Sequence, residues 1–526
     1  MARMSSNHIC NLDANGAALM GAPALSAWVA AASQPDRERA QLASGAFARA
    51  LAAEYSFELL PAADAPLPPG VDLHDDPSYS VTWVGGAAEA NCAVITGAVR
   101  RYTVATRRLP HLITTAGDPP SVLACCRALL AERACELTVL PIRRNGAGLG
   151  ALDPAFLKKA LRANTCLVSI AAVNSDTGAI SNLRRLTEEA RRANVPFHSD
   201  VTLLIGRSAF HPAALGLDAW TASFSHLGGA PQLAALVVRR SFVHGYKIAP
   251  YVGGASSPAG ELRATAAGDP DAAVQLEPAI AATVVAWQAA IEINRAAAQT
   301  RPHDMRALLW ARLSRVCRAL FLDDCDADVP PSVDGGISPP GKRPHLGTQE
   351  GHEALVAAAM DVGAPAIVWI APRDLRGLLP NTMLISICRL GFSAEDVRAR
   401  LRAENIIVGR PRAATIAALG LPAVLRQGLL RFSFHSDCTE ATIILAADRI
   451  SNMILERGRS DERGRADERG RADERGRSDE RGRSDEQPRL LGQLRSSDRP
   501  RSSDRPRSSD RPRSSDRPRS SEKNRR

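Results

Sequence analysis

Val195-Pro-Phe-His-Ser-Asp-Val-Thr202 and Ala219-Trp-Thr-Ala-Ser-Phe-Ser-His-Leu227 are two short apolar runs that each close on polar residues. Val, Phe, Trp and Thr favour pleated backbone, so the runs predict strands over 195–199 and 219–225. Asp200 follows the first strand, and His226 follows the second. A third apolar run, Gln232 to Val238, predicts the next strand.

The same alternation continues upstream. Strands are expected at 80–84, 111–115, 136–140 and 165–172, and helices at 87–100, 121–132, 153–163 and 182–193. Asp153 and Pro154 supply an N-cap and a first-turn proline. Short apolar strands between helices imply an α/β fold with a mainly parallel sheet covered on both faces. Downstream, Glu277 to Gln299 predicts a long apolar helix that bridges two lobes, and His303 to Leu322 another helix. Residues 323–350, rich in Pro, Gly and Asp, read as a surface insertion. Strands at 366–370, 383–388 and 429–435, with helices at 393–404 and 439–455, predict a smaller α+β lobe. The expected divisions are a large α/β domain over 1–270, a linking helix and small domain over 271–455, and a tail over 456–526.

That tail is two tandem hexapeptide arrays. Glu456 to Asp485 is five copies of Glu-Arg-Gly-Arg-Ser/Ala-Asp, and Arg495 to Pro518 is four copies of Arg-Ser-Ser-Asp-Arg-Pro. Neither array carries an apolar side chain larger than Ala or Pro, so neither buries enough surface to offset its ordering entropy, and disorder is expected. From Glu456 onward 23 Lys and Arg face 16 Asp and Glu, a balance of +7 out of the total of +10. The basic charge is therefore a tail property and not a basic face of the folded part. The Ser-Ser pairs beside Arg would turn a cationic arm anionic if phosphorylated. Binding of RNA or acidic partners through this arm is one functional reading, though no aromatics are interleaved for base stacking.

Aromatics make up only 4% of the chain, so the core must rest on Ala, Leu and Val. The ten cysteines form no CxxC, which argues against a zinc ribbon or a thioredoxin-type motif and for reduced thiols; no metal site is expected. Neither a signal peptide nor a membrane-spanning apolar run is read, so a soluble cytoplasmic protein is expected.

The collinear order of several motifs resembles the class V aminotransferases, most nearly the cysteine desulfurases of the NifS/IscS type. The pieces are Cys10-Asn-Leu-Asp-Ala-Asn-Gly-Ala17, Gly85-Gly-Ala-Ala-Glu-Ala-Asn91, His111-Leu-Ile-Thr-Thr115, Leu167-Val-Ser-Ile-Ala-Ala-Val-Asn-Ser-Asp-Thr-Gly178, His198-Ser-Asp-Val-Thr202, Leu379-Pro-Asn-Thr382 and Leu430-Arg-Phe-Ser433. The resemblance implies the fold type I architecture of pyridoxal phosphate (PLP) enzymes. It further implies a homodimer and iron–sulfur assembly partners.

Carried over residue by residue, the resemblance makes Asp200 the partner of the cofactor's ring nitrogen. It places Ser225 and His226 at the cofactor phosphate, Ala88 where a phosphate-binding Thr is usual, and Ser175 where an Asn contacts the ring. Thr265, with Gly253-Gly254 and Arg263, resembles the segment that reaches the partner subunit's phosphate. Against these stand the losses. Leu227 falls where the lysine that anchors the cofactor is expected. Pro119 replaces the His that stacks on the ring, and Leu203 replaces a Gln beside the phenolic oxygen. Ile407-Val-Gly-Arg-Pro-Arg-Ala-Ala414 is shorter than the family's mobile loop and carries no Cys. Only five lysines occur, at 158, 159, 247, 342 and 523, against 61 arginines. A guanidinium does not replace an amine nucleophile.

Because fold alone does not confer function, no catalytic residue is assigned. The expectation is a catalytically degenerate desulfurase-like protein acting as a scaffold, with PLP held without a covalent link if it is held at all. A residual PLP-dependent desulfurase, lyase or aminotransferase using Lys247 is the second reading. Cys125, Cys126 and Cys388 are the conceivable sulfur carriers, each in an apolar element where an inert buried thiol is the default.

Overall fold

Leu112 and Ile113, adjacent in one strand, point into different cores, and so do Leu167 and Val168, Ala219 and Trp220, and Leu236 and Val237. That alternation marks a sheet with apolar layers on both sides. A computed structural model describes residues 10–12, 22–33, 79–144, 146, 148–207, 212–229, 233–239, 264–265, 282–284, 286–291, 305–322, 366–372, 374–388, 393–435 and 438–456. The tail and the 323–350 insertion read from sequence lie outside the described residues. So do Lys247, Lys342, Lys523, Gly253, Gly254 and Arg263. By contacts the chain divides into Met1–Arg459 and Ser460–Arg526.

The strands in chain order are β1 (Cys10–Leu12), β2 (Tyr79–Val84), β3 (His111–Thr115), β4 (Glu136–Leu140), β5 (Thr165–Ser169), β6 (Phe197–Asp200), β7 (Ala219–Ala222), β8 (Ala234–Arg239) and β9 (Ala264–Thr265). They continue with β10 (Arg318–Phe321), β11 (Ala366–Trp369), β12 (Thr382–Cys388), β13 (Ile406–Val408) and β14 (Leu429–Ser433). Eight of them form one sheet in the order β4-β3-β5-β6-β7-β8-β2-β9. β4, β3, β5, β6 and β7 run parallel, while β8 is antiparallel to both β7 and β2. β8 is thus a reversed strand inserted in an otherwise parallel set, and β9 adds an antiparallel edge beside β2.

Helices cover both faces. On one side, Val94, Ile95 and Ala98 of the Ala87–Thr106 helix pack with Val122, Cys126 and Leu129 of the Pro120–Ala131 helix. On the other, Leu157 from the Pro154–Ala160 helix joins Leu183, Leu186 and Ala190 from the Leu183–Arg192 helix. Caps set these boundaries as the sequence suggests. The Asp153 side chain accepts from the Ala155 N–H, and that of Asn182 accepts from the Arg185 N–H. The former helix is shorter than expected, because Leu161 already has an extended backbone.

A second sheet, β10-β11-β12-β14, is antiparallel except for its first pair. Neighbouring residues again face different cores: Ile367 and Val368, Leu384 and Ile385, Leu429 and Leu430. Helical residues 440–456 close this lobe, with Ile443, Ala447, Ile450 and Ile454 on its buried stripe. β1 does not join the large sheet. It pairs in parallel with β13, Cys10 opposite Ile406.

The strand expected over 219–225 stops at Ala222. Ser223 Oγ donates to the Leu233 carbonyl, the Phe224 carbonyl accepts from Leu227 N and Gly229 N, and Ser225–Leu227 become a 3₁₀ turn. The strand expected over 195–199 runs one residue further and ends on Asp200.

Two buried histidines brace the parallel strands. His111 in β3 contacts Thr165 and Thr138 hydroxyls in β5 and β4, at 2.9 and 2.8 Å. His198 in β6 contacts Ser169 and Thr221 hydroxyls in β5 and β7, at 2.9 and 3.1 Å. Burial lowers His198 to about 3, so it is neutral at ordinary pH. A neutral buried His stabilises the fold above its unfolded value near 6.5, and this contribution is lost as pH falls from there toward 3. Asp118 and Asp200, raised by burial, act with the opposite sign. The difference between the parent and His198→Gln isolates the histidine. Urea unfolding between pH 6 and 4.5 should show the parent losing about 1.4 kcal/mol per pH unit relative to the variant. Parallel pH profiles would contradict a neutral buried His198.

Candidate functional site

The carboxyl ends of β3, β5, β6 and β7 open on a cavity of about 380 Å³. Parallel sheets place ligands at this edge, since loops there diverge from neighbouring strands. The volume lies toward the lower end of the range for small-molecule pockets, about 300–1,000 Å³.

Each strand end contributes something different. After β3, Pro119, Pro120 and Ser121 line one wall. Their turn is fixed by the buried Asp118 carboxylate, which accepts from Thr114 Oγ1, from Thr115 N at 2.7 Å and from Ala171 N at 2.6 Å. The last bond ties this turn to the segment after β5, which brings Ala171, Val173 and Ser175 to the cavity. β6 ends on Asp200, followed by Thr202 and Leu203, and the β7 turn supplies His226.

Asp200 is the polar centre of the large-sheet side. It is 7% exposed, accepts from Asn91 Nδ2 at 2.8 Å and from Thr202 N at 3.0 Å, and faces the cavity. Asn91 also donates to Ser121 Oγ at 3.1 Å, linking the helix that starts at Ala87 to the one that starts at Pro120. Burial raises the Asp200 carboxyl above its ordinary range, opposed by the Asn91 hydrogen bond. The carboxylate is thus held rigidly at the floor of the pocket.

The opposite wall is cationic. Arg410, Arg412 and Arg431 line it. Asp176, fully buried, receives Arg412 Nε on one oxygen and Arg431 on the other, each at 2.8 Å. Arg412 spends further N–H groups on the Asp118 carbonyl at 2.6 Å and the Gly117 carbonyl at 3.0 Å. One arginine therefore pins the segment before the Ala413–Leu419 helix to the turns after both β3 and β5.

Of the residues expected from sequence, Asp200, Ser175 and His226 are brought together around the cavity. Three others are not among its lining. Ala88 is exposed one position beyond the lining residue Ala87. Ser225 is half-buried with its hydroxyl 3.2 Å from that of Ser223. Thr265 lies in β9, paired through its backbone with Val81. Pro119 and Leu203, read as replacements for a stacking His and a Gln, do line the cavity.

Leu227 does not. It is 2% exposed and packs in the core beneath the sheet's C-terminal edge. Gly206, at φ +71°, makes room for it: a Cβ there would meet Leu227 Cδ1 at 2.5 Å. Lys158 and Lys159 are exposed on the Pro154–Ala160 helix, so no lysine among the described residues reaches the cavity. Among those residues, too, no group of His, Cys, Asp and Glu is placed to hold a metal, and no helix is long and apolar enough to cross a membrane.

Arg412, Asp176 and Asn91 were not singled out from sequence. A signal was available for the first two. A charged residue inside the apolar strand Leu430-Arg-Phe-Ser433 demands a buried partner, and Arg410-Pro-Arg412 stands where the family loop is shortened. The geometry of Asn91 has no such local cue.

Residues 73–321 match the family model for class V aminotransferases. A NifS-like protein of African swine fever virus is 34% identical over 131 residues, covering 25% of this chain and 33% of that protein. The cysteine desulfurase IscS of Anaeromyxobacter sp. (strain K) is 33% identical over 160 residues, covering 30% of this chain and 38% of that one. The chain spans about a third of the length of the curated relatives it matches. Two solved structures share the fold more widely. A NifS-like protein aligns with TM-score 0.59 at 18% identity, over 85% of this chain and all of that one. The apo cysteine desulfurase of Thermococcus onnurineus NA1 aligns with TM-score 0.57 at 15% identity, over 86% of this chain and 96% of that one. The fold is that of the type I PLP enzymes.

Two measurements probe this geometry. Removing one member of a buried ion pair strands the other charge and costs about 3–5 kcal/mol. Asp176→Asn should therefore lower unfolding free energy by about that much in urea titration, since it leaves two guanidinium groups facing a neutral amide. A loss below about 1 kcal/mol would mean the pair is not buried as described. The second concerns thiols. The hydrogen bond from Cys125 draws Cys92 down to about 7 despite partial burial, whereas burial pushes Cys388 up to about 11 and Cys166 to about 12. Iodoacetamide at pH 8 should label Cys92 well before either, as read by peptide mass mapping. Equal labelling rates would contradict that arrangement.

Proposed function

We propose that this chain is a class V aminotransferase family member that has kept the pocket and lost the chemistry, a reading supported by the family-model match over residues 73–321 and by the NifS-like and IscS relatives. The observation that carries this reading is the position of Leu227. Where the resemblance asks for the amine that anchors PLP, the chain turns an alkyl side chain into the core against Gly206. The loop that should bring a nucleophilic thiol is replaced by Arg410-Pro-Arg412, and Arg412 is tied down by Asp176 and two carbonyls. An alkyl group forms no covalent link to an aldehyde, and a guanidinium accepts no sulfur.

The fit to PLP is partial. Bound PLP supplies an electron sink to amino-acid chemistry. Asp200 would hold its ring nitrogen, with Asn91 and Thr202 N fixing the carboxylate. Pro119, Leu203 and Val173 would flank the ring and exclude water. Gly85 N, one of the backbone donors at the head of the Ala87–Thr106 helix, is already taken by Glu89 Oε2 at 2.7 Å. No described side chain offers the amine. These residues fit a ring held without a covalent link and do not fit the covalently anchored form, so no reaction step is assigned to them. In this reading the fold serves association, with a second copy of itself, with an active relative or with iron–sulfur assembly partners.

Asp200 is the feature that favours the other reading, a residual PLP enzyme, because a buried carboxylate in this place is costly unless used. Absorbance of the purified full chain with added PLP separates the two. A degenerate pocket gives the spectrum of free PLP, no product fixed by borohydride, and neither alanine nor sulfide from cysteine. A visible band that borohydride converts to a stable adduct, together with sulfide release, would overturn the proposal.

A further inference from the structure

The two helices that support the pocket floor also bring two thiols together. Six of the eight described cysteines are buried, and Cys92 and Cys125 alone among them are partly open to solvent. Cys92 lies on the Ala87–Thr106 helix and Cys125 on the Pro120–Ala131 helix, which pack against each other on one face of the large sheet. Two contacts between these helices bracket the thiols. Asn91 Nδ2 donates to Ser121 Oγ at 3.1 Å, and Thr96 Oγ1 lies 3.8 Å from Cys125 Sγ. Cys92 adjoins Asn91 and precedes Thr96 by one turn, while Ser121 precedes Cys125 by one turn. Residues four apart share a helix face, so the stretch between the two contacts sets Cys92 against Cys125. The two thiols share a hydrogen bond. That bond draws Cys92 down to about 7, so about half of it is thiolate at neutral pH. Cys125 is pushed up by the same bond and by burial. An open thiolate with a second thiol in contact is the arrangement in which oxidation is caught as a disulfide before it reaches sulfinic acid.

We propose that Cys92 and Cys125 form a reversible disulfide with a hydroperoxide as oxidant, Cys92 being the attacking thiol and Cys125 the resolving one. The Cys92 sulfur attacks one peroxide oxygen and the O–O bond breaks. The sulfur becomes a sulfenic acid, and the departing oxygen takes up a proton to leave as an alcohol or, from hydrogen peroxide, as water. The Cys125 sulfur then attacks the Cys92 sulfur, the S–O bond breaks, and the hydroxide leaves as water with the Cys125 proton. The two thiols together lose two electrons and two protons, and the peroxide gains both. The link would tie the helix carrying Asn91, which holds Asp200, to the helix carrying Ser121, which lines the cavity. Oxidation would thus clamp the supports of the pocket floor. Neither thiol lines the cavity, so the inference stands whether or not the pocket holds PLP.

The test treats the reduced full chain with hydrogen peroxide near stoichiometry, quenches it with N-ethylmaleimide and maps tryptic peptides by mass. Arg100, Arg101, Arg107 and Arg108 lie between the two cysteines, so the link joins separate peptides, and fragmentation distinguishes Cys125 from Cys126. The Cys92–Cys125 link should form before any other, with the loss of two hydrogens, and dithiothreitol should return both thiols. Cys125→Ser should leave Cys92 as a sulfenic acid that dimedone traps, and Cys92→Ser should abolish the link. The mapping of the parent needs no variant, so it decides the matter even where a substituted chain misfolds. A first link between Cys125 and Cys126, between Cys92 and Cys126 or between two chains would overturn the proposal. So would passage of Cys92 to sulfinic acid while Cys125 stays free, or no loss of either thiol.

Discussion

Everything at the pocket hangs on one buried carboxylate. Asp176 sits after β5 and holds Arg431 from β14 and Arg412 from the segment after β13. Three stretches far apart in sequence are fixed by a single side chain with no exposure to water. A buried ion group of this kind gives little net stability over an apolar substitute. What it does is forbid alternatives, because any other packing leaves a charge without a partner. The turns after β3 and β5 are drawn in by the same group through the carbonyls of Gly117 and Asp118. The cavity is the space left when those constraints are satisfied together.

That geometry also bears on the proposed loss of activity. Arg412 spends its donors on a carboxylate and two carbonyls, so the segment that carries it is a strap and not a swinging loop. Catalytic loops must open and close, and this one is tethered at both the charge and the backbone level. Asp200, by contrast, retains the rigid polar support that a functional carboxylate needs, with Asn91 and the Thr202 N–H in place. The floor of the site is preorganised while its moving part is locked.

How much of this was legible in the sequence follows from which interactions are local. Periodicity placed the strands of the large sheet, because residues such as Leu112, Ile113, Leu167 and Val168 are buried on both faces and must be apolar. Asp200 was placed by the resemblance, since a strand that ends on Asp reads locally as no more than a cap or a surface residue; the structure puts it on the cavity. Ser225 and Ala88 were assigned by register with a family motif, and register is fragile around a shortened turn. The 3₁₀ geometry of Ser225–Leu227 directs Leu227 away from the cavity and leaves His226 on it. Only the backbone path decides that. The pairing of Asp176 with Arg412 and Arg431 spans more than 230 residues of sequence, and no window of local pattern contains both ends. Short strands such as β1 and β13 were missed for a related reason, since three residues carry too little periodicity, and the helix expected over 303–322 stops at Leu313, with Arg318–Phe321 forming β10 instead.

β1 has one more consequence. Cys10–Leu12 has no partner in the large sheet and pairs with Ile406–Val408. During synthesis the segment must remain unpaired while about 400 further residues are added, roughly 20–80 s at ordinary elongation rates. Leu12 of β1 packs into the core of the smaller lobe with Ile406 and Val408, so the earliest described strand belongs with the latest elements. The eight strands of the large sheet have all emerged by Thr265, so it is the β1–β13 pair, and not the large sheet, that waits for most of the polypeptide.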